Sequence, residues 1–561
     1  MKIKNIIYSA SVATMLAIGL SACSDSYLDE NMFSQYGTDV TDVNAKLIGL
    51  HYKYAALWGM SSRQGFTGIW QDGTDVGAPG DTEGVEVPFF QYGSLNAENG
   101  GVSFLWENLY SIINSANIII NTEGVDPAAK GEAEFFRAYS YNLLVTLWGN
   151  VPLITESKAE PRTDFTRTAV SEIDAVITAD LNDAMANLPE VGKTATESRI
   201  NKDCARILAG EAFNRMGKYS EAEAAVSATI NSGNYKLIEK RYGVFLSDSG
   251  DYYSDMFRWG NQRRSQGNTE GIWVFQMEFN RDVTGGTIDN PQQRRNWVAA
   301  FHKINGMVNA DSIGGRGNGR LRLSNYVKYA IYQEGDIRNS NHNIRRVLFY
   351  NKPGFTADIY VKDGFRVDEG TAGAQKITVK TGDRAYWTVN DTLNVMYPHT
   401  TKWGGYDPTD DFGYALVKDW PIMRLADAYL LRAEARIMQN NMSGAAEDIN
   451  VLRDRAFKAY REETGNATAG AVSAADMSLD FLLDERIREL VGEENRRYTL
   501  CRTGKLAERV QMIMSKYAEG TPSKAISGFD ANKHCLLPIP LSEIQLNKDA
   551  ELQQNPGYDV K

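Results

Sequence analysis

Apolar positions recur with a helical period through two long blocks of the chain. The clearest run is 130–154, KGEAEFFRAYSYNLLVTLWGNVPLI. Ala133, Phe136, Leu143 and Leu147 follow one face, while Phe135, Tyr139, Leu144 and Val145 fill neighbouring sectors. The apolar surface therefore wraps much of the helix, and such a helix must be covered on several sides. Small Ala133 and Ala138 let a partner helix approach closely, and Gly149 followed by Pro152 supplies a stop. These are the features of the inner helix in a stacked array of helical hairpins. The same period predicts helices near 41–58, 104–122, 130–148, 169–188, 199–216 and 219–231, and again near 421–438, 443–459, 479–499 and 503–517. Between the blocks, 240–420 is rich in Gly, Asn, Asp and aromatic residues, with strand-like pieces at 272–275, 346–350 and 376–380. The pattern predicts a mostly α fold, a helical scaffold interrupted by a large loop-rich insertion with short strands.

Two turns refine that picture. Arg215-Met216-Gly217-Lys218-Tyr219 is followed by a new amphipathic helix and resembles the turn of a tetratricopeptide hairpin. Ala209, Ala212 and Phe213 before it, with Ala222, Ala225 and Ala228 after it, allow a close crossing. Asn440-Asn441-Met442-Ser443-Gly444 joins 426–438 to 445–458 in the same manner. The strict repeat consensus is absent, so the units are irregular.

At the start, Lys2 and Lys4 precede an apolar run from Ile6 to Leu20, too short to span a bilayer comfortably and read as a secretory signal over 1–22. Its ending, Leu20-Ser21-Ala22-Cys23, resembles a bacterial lipobox, which implies acylation of Cys23. Each buried methylene is worth about 0.8 kcal/mol, so several acyl chains on one residue would anchor the protein stably where a single chain would not. Ser24, Asp25, Ser26, Asp29 and Glu30 continue as an acidic leader similar to the surface-export signal of Bacteroidetes lipoproteins, within a tether over 23–40.

Charge and cysteine content then exclude several function classes. With 60 basic against 71 acidic residues, the chain lacks the basic balance of a nucleic-acid surface. Cys204, Cys501 and Cys535 cannot all pair, so no disulfide framework is implied. The five histidines lack metal-ligand spacing. Asp248, Asp251 and Asp255, or Asp407, Asp410 and Asp411, offer carboxylates to a structural calcium ion, but without EF-hand spacing. No nucleophile elbow, zinc motif or phosphate loop is present, and no catalytic residue, metal ligand or cofactor is assigned. Glu485, Arg488, Glu489, Glu493, Glu494, Arg496 and Arg497 read as a solvated, salt-laced face of a single helix, with Glu493 and Arg497 at ion-pair spacing. Asp311-Ser312-Ile313 and Asp391-Thr392-Leu393 are similar to a short O-glycosylation motif.

Taken in order, the segments resemble the SusD/RagB family of Bacteroidetes outer-membrane lipoproteins. Trp106, Leu109, Tyr110, Ile113, Ala116 and Asn117 follow the family's first helix motif, and 130–154 follows its Glu-x-x-Phe-x-Arg-Ala helix with the Trp-Gly-x-Val-Pro ending. Arg424-Leu425-Ala426-Asp427-Ala428-Tyr429-Leu430, Glu485-Arg486-Ile487-Arg488-Glu489-Leu490, Leu537-Pro538-Ile539-Pro540 and Asn555-Pro556-Gly557-Tyr558 continue the set. After Gly317-Asn318-Gly319-Arg320-Leu321-Arg322 this chain has Leu323-Ser324 where the family often has Pro-Thr. The resemblance implies a helical scaffold over 41–240, a ligand-handling region over 241–420 and a C-terminal helical region over 421–561. It also implies a non-enzymatic surface protein that captures a glycan and sits as a lid on a SusC-like TonB-dependent transporter. A RagB-like peptide lid shares the scaffold, and a glycoside hydrolase needs only a carboxylate pair that 71 acidic residues neither supply nor exclude.

Sugar rings present apolar faces rimmed by hydroxyls, so a glycan site needs flat aromatics beside planar polar groups, most often on loops. Two stretches qualify. In 66–75, Trp70 is a stacking platform with Gln71, Asp72 and Asp75 beside it, or else a tryptophan packed under the loop. In 290–297, Arg294 and Arg295 suit hydroxyls, uronate or sulfate beside Trp297, unless Trp297 is buried under a basic turn. Trp387, Trp403 and Tyr406 form a weaker third set.

Overall fold

The computed structural model describes residues 42–59, 66–80, 84–157, 162–277, 293–405, 416–518 and 521–559. Cys23 and its flanking leader lie outside them, as do Tyr406, Asp407, Asp410 and Asp411. The chain divides into an N-terminal unit, residues 1–46, and a body of residues 47–561. In the first, the Asp42 carboxylate accepts from Asn44 N (2.8 Å).

Helix α1 (Val43–Leu57) belongs to the body from Leu47 onward, which is built further on α2 (Phe66–Gln71), α3 (Gly100–Ile120), α4 (Pro127–Trp148), α5 (Val170–Asn187), α6 (Lys202–Arg215) and α7 (Tyr219–Ile230). Successive members from α3 to α7 pack against one another. Their ends are set locally. Asn99 caps α3 through Gly101 N and Val102 N, Asp126 caps α4 just ahead of Pro127, and Asn201 caps α6. Every residue of α4 from Gly131 to Trp148 is buried, the outcome predicted from its wrapped apolar surface. Close crossing of α6 and α7 rests on Gly210, where an added Cβ would lie 2.4 Å from Val226 Cγ1.

Short helix α8 (Gln293–Trp297) lies in the insertion, and the second block comprises α9 (Leu425–Met438), α10 (Met442–Thr464), α11 (Leu479–Leu490), α12 (Arg496–Arg502) and α13 (Leu506–Lys516). Helix α9 packs on both α7 and α10, and Asn214 Nδ2 donates to Leu431 O (3.1 Å). The helices on either side of the insertion thus form one continuous array of irregular tetratricopeptide-like hairpins. Between them run short antiparallel pairs: β1 (Gly77–Pro79) with β3 (Leu321–Leu323), β2 (Gly271–Phe275) with β9 (Trp420–Arg424), and β4 (Ile344–Arg345) with β8 (His399–Thr400). Strand β5 (Thr356–Lys362) lies between β6 (Phe365–Val367) and β7 (Gln375–Lys380). A second core of Val298, Phe301, Leu348, Tyr350, Ile359, Met396 and Tyr397 holds the insertion together. The strand expected at 346–350 sits instead at Ile344–Arg345, with only Phe349 making an isolated bridge, to Arg384.

Two expectations are corrected here. The helix expected over 479–499 breaks at Val491 and Gly492 (φ +82°) and restarts at α12, capped by Asn495. The charged face assigned to it is buried, not solvated. Glu485 and Glu489 are completely covered, and Arg496 and Arg497 are 1 % exposed. Glu485 accepts from Arg338 (2.8 Å), Arg453 (2.7 Å) and Arg488 (2.8 Å). Glu489 accepts from Arg424 (2.6 Å), Arg338 (3.0 Å) and Arg455, and Glu493 from Lys402 (2.5 Å) and Arg424 (2.7 Å). Glu493 therefore does not pair with Arg497, whose guanidinium donates to the carbonyls of Ile69 (2.8 Å), Asp72 (2.5 Å) and Phe89 (3.1 Å). Burial alone raises the Glu485 carboxyl, but Arg338, Arg488 and Arg453 hold it down at about 2. Helical spacing identified the charges; which face the insertion covers is a long-range fact. The network ties residues 270, 338 and 402 of the insertion to β9, α10, α11 and the turn after it.

Candidate functional site

Loops of the insertion meet the segment after α1 on one face. Strands β1 and β3 pair in the register Gly77↔Leu323, Ala78↔Arg322, Pro79↔Leu321. Helix α2 touches α8, and Gln293 Nε2 donates to Trp58 O. Arg294 Nη1 reaches Gly405 O (3.4 Å), and Gly404 lies so near Gly314 that an added Cβ would meet its Cα at 2.9 Å. The stretches 66–75, 293–297 and 403–405 are thereby brought side by side, although more than two hundred residues separate the first from the others.

Their side chains turn mostly inward, which corrects the roles expected for them. Trp70 is 4 % exposed and its Nε1 donates to Leu57 O (3.0 Å), so its ring supports the loop from below and offers no stacking face. Trp297 is 1 % exposed in a core with Leu321, Leu323, Val327, Trp403 and Trp420. Gln71 Nε2 donates to Glu494 O (2.6 Å). Asp75 is wholly covered and grips Arg496 through two bonds of 2.7 Å, to Nε and Nη2. Arg294 is also fully buried, within 3.6 Å of the Asp311 carboxylate. For Trp70 and Trp297 the packed alternative is the one observed, because the insertion covers the segments that carry them. Of the third set, Trp403 is buried with its Nε1 on Gly492 O (2.6 Å), and Trp387 is half-buried against the insertion core.

Of the expected polar contacts, Arg295 stays at the surface, half-buried. Asn318 N donates to Arg295 O (3.0 Å), which places the glycine-rich 314–319 loop beside it. Half-buried Arg316 and exposed Lys303 complete a cationic rim, with half-buried His302 beside them. Burial, then Arg316 and Lys303, lower the His302 pKa, so its imidazole is neutral near pH 7. A buried acidic pair lies near Arg320, Arg322 and Arg497: Glu86 binds Arg320, while neither oxygen of Asp72 has a hydrogen-bond partner among the described residues. Burial and neighbouring Glu86 raise the Asp72 pKa well above the usual range, against Arg497, Arg320 and Arg322.

A raised carboxyl pKa favours folding below the unfolded value near 3.8, and that contribution is lost as pH rises through the folded value. Asp72→Asn is therefore expected to stabilise the protein by about 1–3 kcal/mol at pH 8 and by little at pH 4. Denaturant titration at the two pH values checks this, and an equal effect at both refutes it.

Asp251 and Asp255 spend their carboxylates on protein donors: Asp251 on Ser254 N (2.7 Å) and Ser340 Oγ (2.7 Å), Asp255 on Arg241 (2.5 Å). Among the described residues no three metal-ligating side chains gather, Cys204, Cys501 and Cys535 are unbridged, and no helix is long and apolar enough to cross a membrane.

A model of the SusD family matches residues 328–558, and a model described as starch-binding associating with outer membrane matches residues 86–209. The chain belongs to the SusD family. This SusD-family chain is 26 % identical to SusD-like protein P25 of Formosa agariphila, over 98 % of its own length and 97 % of the relative's. It is 23 % identical to the starch-binding protein SusD of Bacteroides thetaiotaomicron, over 98 % of both chains. Among solved structures, a laminarin binding SusD-like protein superposes with a TM-score of 0.64 at 21 % identity, covering 92 % of this chain and 99 % of that one. A SusD homolog from B. thetaiotaomicron gives 0.67 at 17 % identity, covering 93 % and 98 %. These likenesses establish the SusD fold.

For the SusD-family face described above, sequence reading missed Arg316, His302 and Lys303. The run Gly314-Gly315-Arg316-Gly317-Asn318-Gly319 carried a usable signal: glycines that let a backbone approach closely, with an arginine displayed between them.

Proposed function

We propose that this protein is a cell-surface glycan-binding lipoprotein, held in the outer membrane through acylated Cys23 and facing outward. It captures oligo- or polysaccharide without cleaving it and delivers it to a SusC-like TonB-dependent transporter. The observation that carries the reading is the convergence of 66–80, 293–324 and 403–405 on one face in a SusD-family chain, rimmed by Arg295, Arg316, His302 and Lys303. Relatives named for starch and laminarin binding support the substrate class. The rim favours a glycan bearing carboxylate or sulfate, since a guanidinium binds such groups through paired donors. Trp70, Gln71, Asp72, Asp75, Arg294 and Trp297 serve as the foundation of this face and do not touch the sugar.

Calorimetric titration of the mature protein, with Cys23 removed, against neutral glycans, acidic glycans and mixed peptides tests this. Binding to an acidic glycan with no release of reducing ends is expected. The double variant Arg295→Ala, Arg316→Ala is expected to weaken it by roughly tenfold to a hundredfold, the loss of one or two charge-assisted contacts. Binding to peptides alone favours a peptide lid, and glycan cleavage favours a hydrolase.

A further inference from the structure

Between α4 and α5 the chain runs out along one extended leg, 151–157, and returns along another, 162–168. The legs pair once, at Val151↔Thr168, where Thr168 N donates to Val151 O (2.9 Å). Beyond that bridge they part. In extended backbone, residues two apart present their polar groups along the same edge. The edge used by Val151 is therefore continued by Leu153 and Thr155, and the edge used by Thr168 by Thr166.

The outer edges are already occupied. On the first leg, Tyr110 Oη donates to Pro152 O (2.8 Å), Ile154 N donates to Tyr141 Oη (2.6 Å), and Asn117 Nδ2 donates to Ile154 O (2.9 Å). On the second, Phe165 N donates to Asn547 Oδ1 (2.7 Å), Asn547 Nδ2 to Phe165 O (2.8 Å) and Asp549 N to Thr163 O (2.8 Å). Among the described residues nothing bonds the N–H or carbonyl of Leu153 or the N–H of Thr155. Between the legs lies a cavity of about 310 Å³, floored by Tyr110, Ile113 and Asn114, with Phe165 and Arg162 on its far wall. The Thr155 carbonyl accepts from Asn121 Nδ2 (3.0 Å), so side chains hold the hairpin open with Leu153 and the Thr155 N–H left unpaired on its inner edge.

We propose that this slot receives an extended segment of a partner protein as an added strand. An aliphatic side chain would lie over Ile113, and a basic residue would face exposed Glu156, which has no ion-pair partner among the described residues. Backbone pairing supplies affinity in such strand addition, and alternate side chains supply specificity. A stacked sugar fits less well: Tyr110 leans on Trp106 (4.9 Å between ring centres) and the Arg162 guanidinium lies over Phe165 (4.8 Å), so each ring is already engaged. No lining residue belongs to the proposed glycan face, so the occupant is a docking strand, separate from the cargo, and the inference does not depend on the glycan reading.

The probe is the acetylated, amidated hexapeptide Lys-Thr-Val-Thr-Val-Lys, added to the mature protein while amide exchange of Leu153 and Thr155 is followed. Peptide at ~1 mM, enough to detect a weak strand–strand contact, is expected to slow both amides by roughly tenfold. The same peptide N-methylated at alternate residues is expected to protect neither. Asn114→Trp, at an exposed helix position, fills the slot and is expected to abolish protection while leaving glycan titration unchanged. Absence of protection by the unmodified peptide overturns the proposal, as does equal protection by the methylated one. Protection of these amides by a glycan instead assigns the slot to sugar and also overturns it.

Discussion

Glu489→Ala is expected to destabilise the protein by about 3–5 kcal/mol, the usual cost of removing one partner from a buried ion network. Glu489 is completely covered and accepts from Arg338, Arg424 and Arg455, which come from three separate parts of the chain. Its own pKa lies well below the usual range: burial works against ionisation, but Arg455, Arg424 and Arg338 outweigh it. Deleting the carboxylate leaves three guanidinium groups in the interior with only part of their countercharge, in Glu270, Asp336, Glu485 and Glu493. Equilibrium denaturation of the two proteins at pH 7 reads the effect, and a loss below about 1 kcal/mol would place the network among surface pairs in energy. The acid limb offers a second reading. A depressed carboxyl contributes stability above its unfolded pKa and loses it as pH falls through the folded one. For Glu485 that window runs from about 4.5 down to about 2, so acid denaturation of the native protein is expected to fall there.

Asp75→Ala is the second large effect. Asp75 and Arg496 form two parallel bonds at full burial, and they fasten the loop after α2 to α12. Removing the carboxylate leaves the Arg496 charge buried with Glu494 (3.2 Å) as its remaining partner, at a cost of about 3–5 kcal/mol. The distinguishing result is local. Amide exchange over 66–80 is expected to accelerate more than exchange in α4, because that loop loses its anchor while α4 keeps its packing. Glycan affinity is expected to fall with it, since β1 positions β3 and the 314–319 loop beyond it. Uniform acceleration across the chain would show that Asp75 acts only on global stability.

The helical repeat and its turns were legible because they depend on neighbours in sequence. Asn99, Asp126 and Asn201 cap helices within three residues, Gly149 ends α4, and a period of 3.6 residues wraps α4 in apolar side chains. The family motifs are read from the same local runs. The stretches that form the candidate face were also legible, as loops rich in aromatic and planar polar groups. Which way those groups point was not. Trp70 and Asp75 belong to a loop whose burial is decided by Arg496 and Arg497, over four hundred residues later, and Trp297 by Trp403 and Trp420. Helix α11 makes the point most sharply: its charges at helical spacing are what a solvated face shows, and nothing within the helix states that arginines from Arg338 to Arg455 will cover it. Sequence by itself determined most of the helices, the turns between them and the family. The tertiary structure alone decided which charges are buried and paired, because desolvation and long-range pairing depend on segments that meet only in the folded chain.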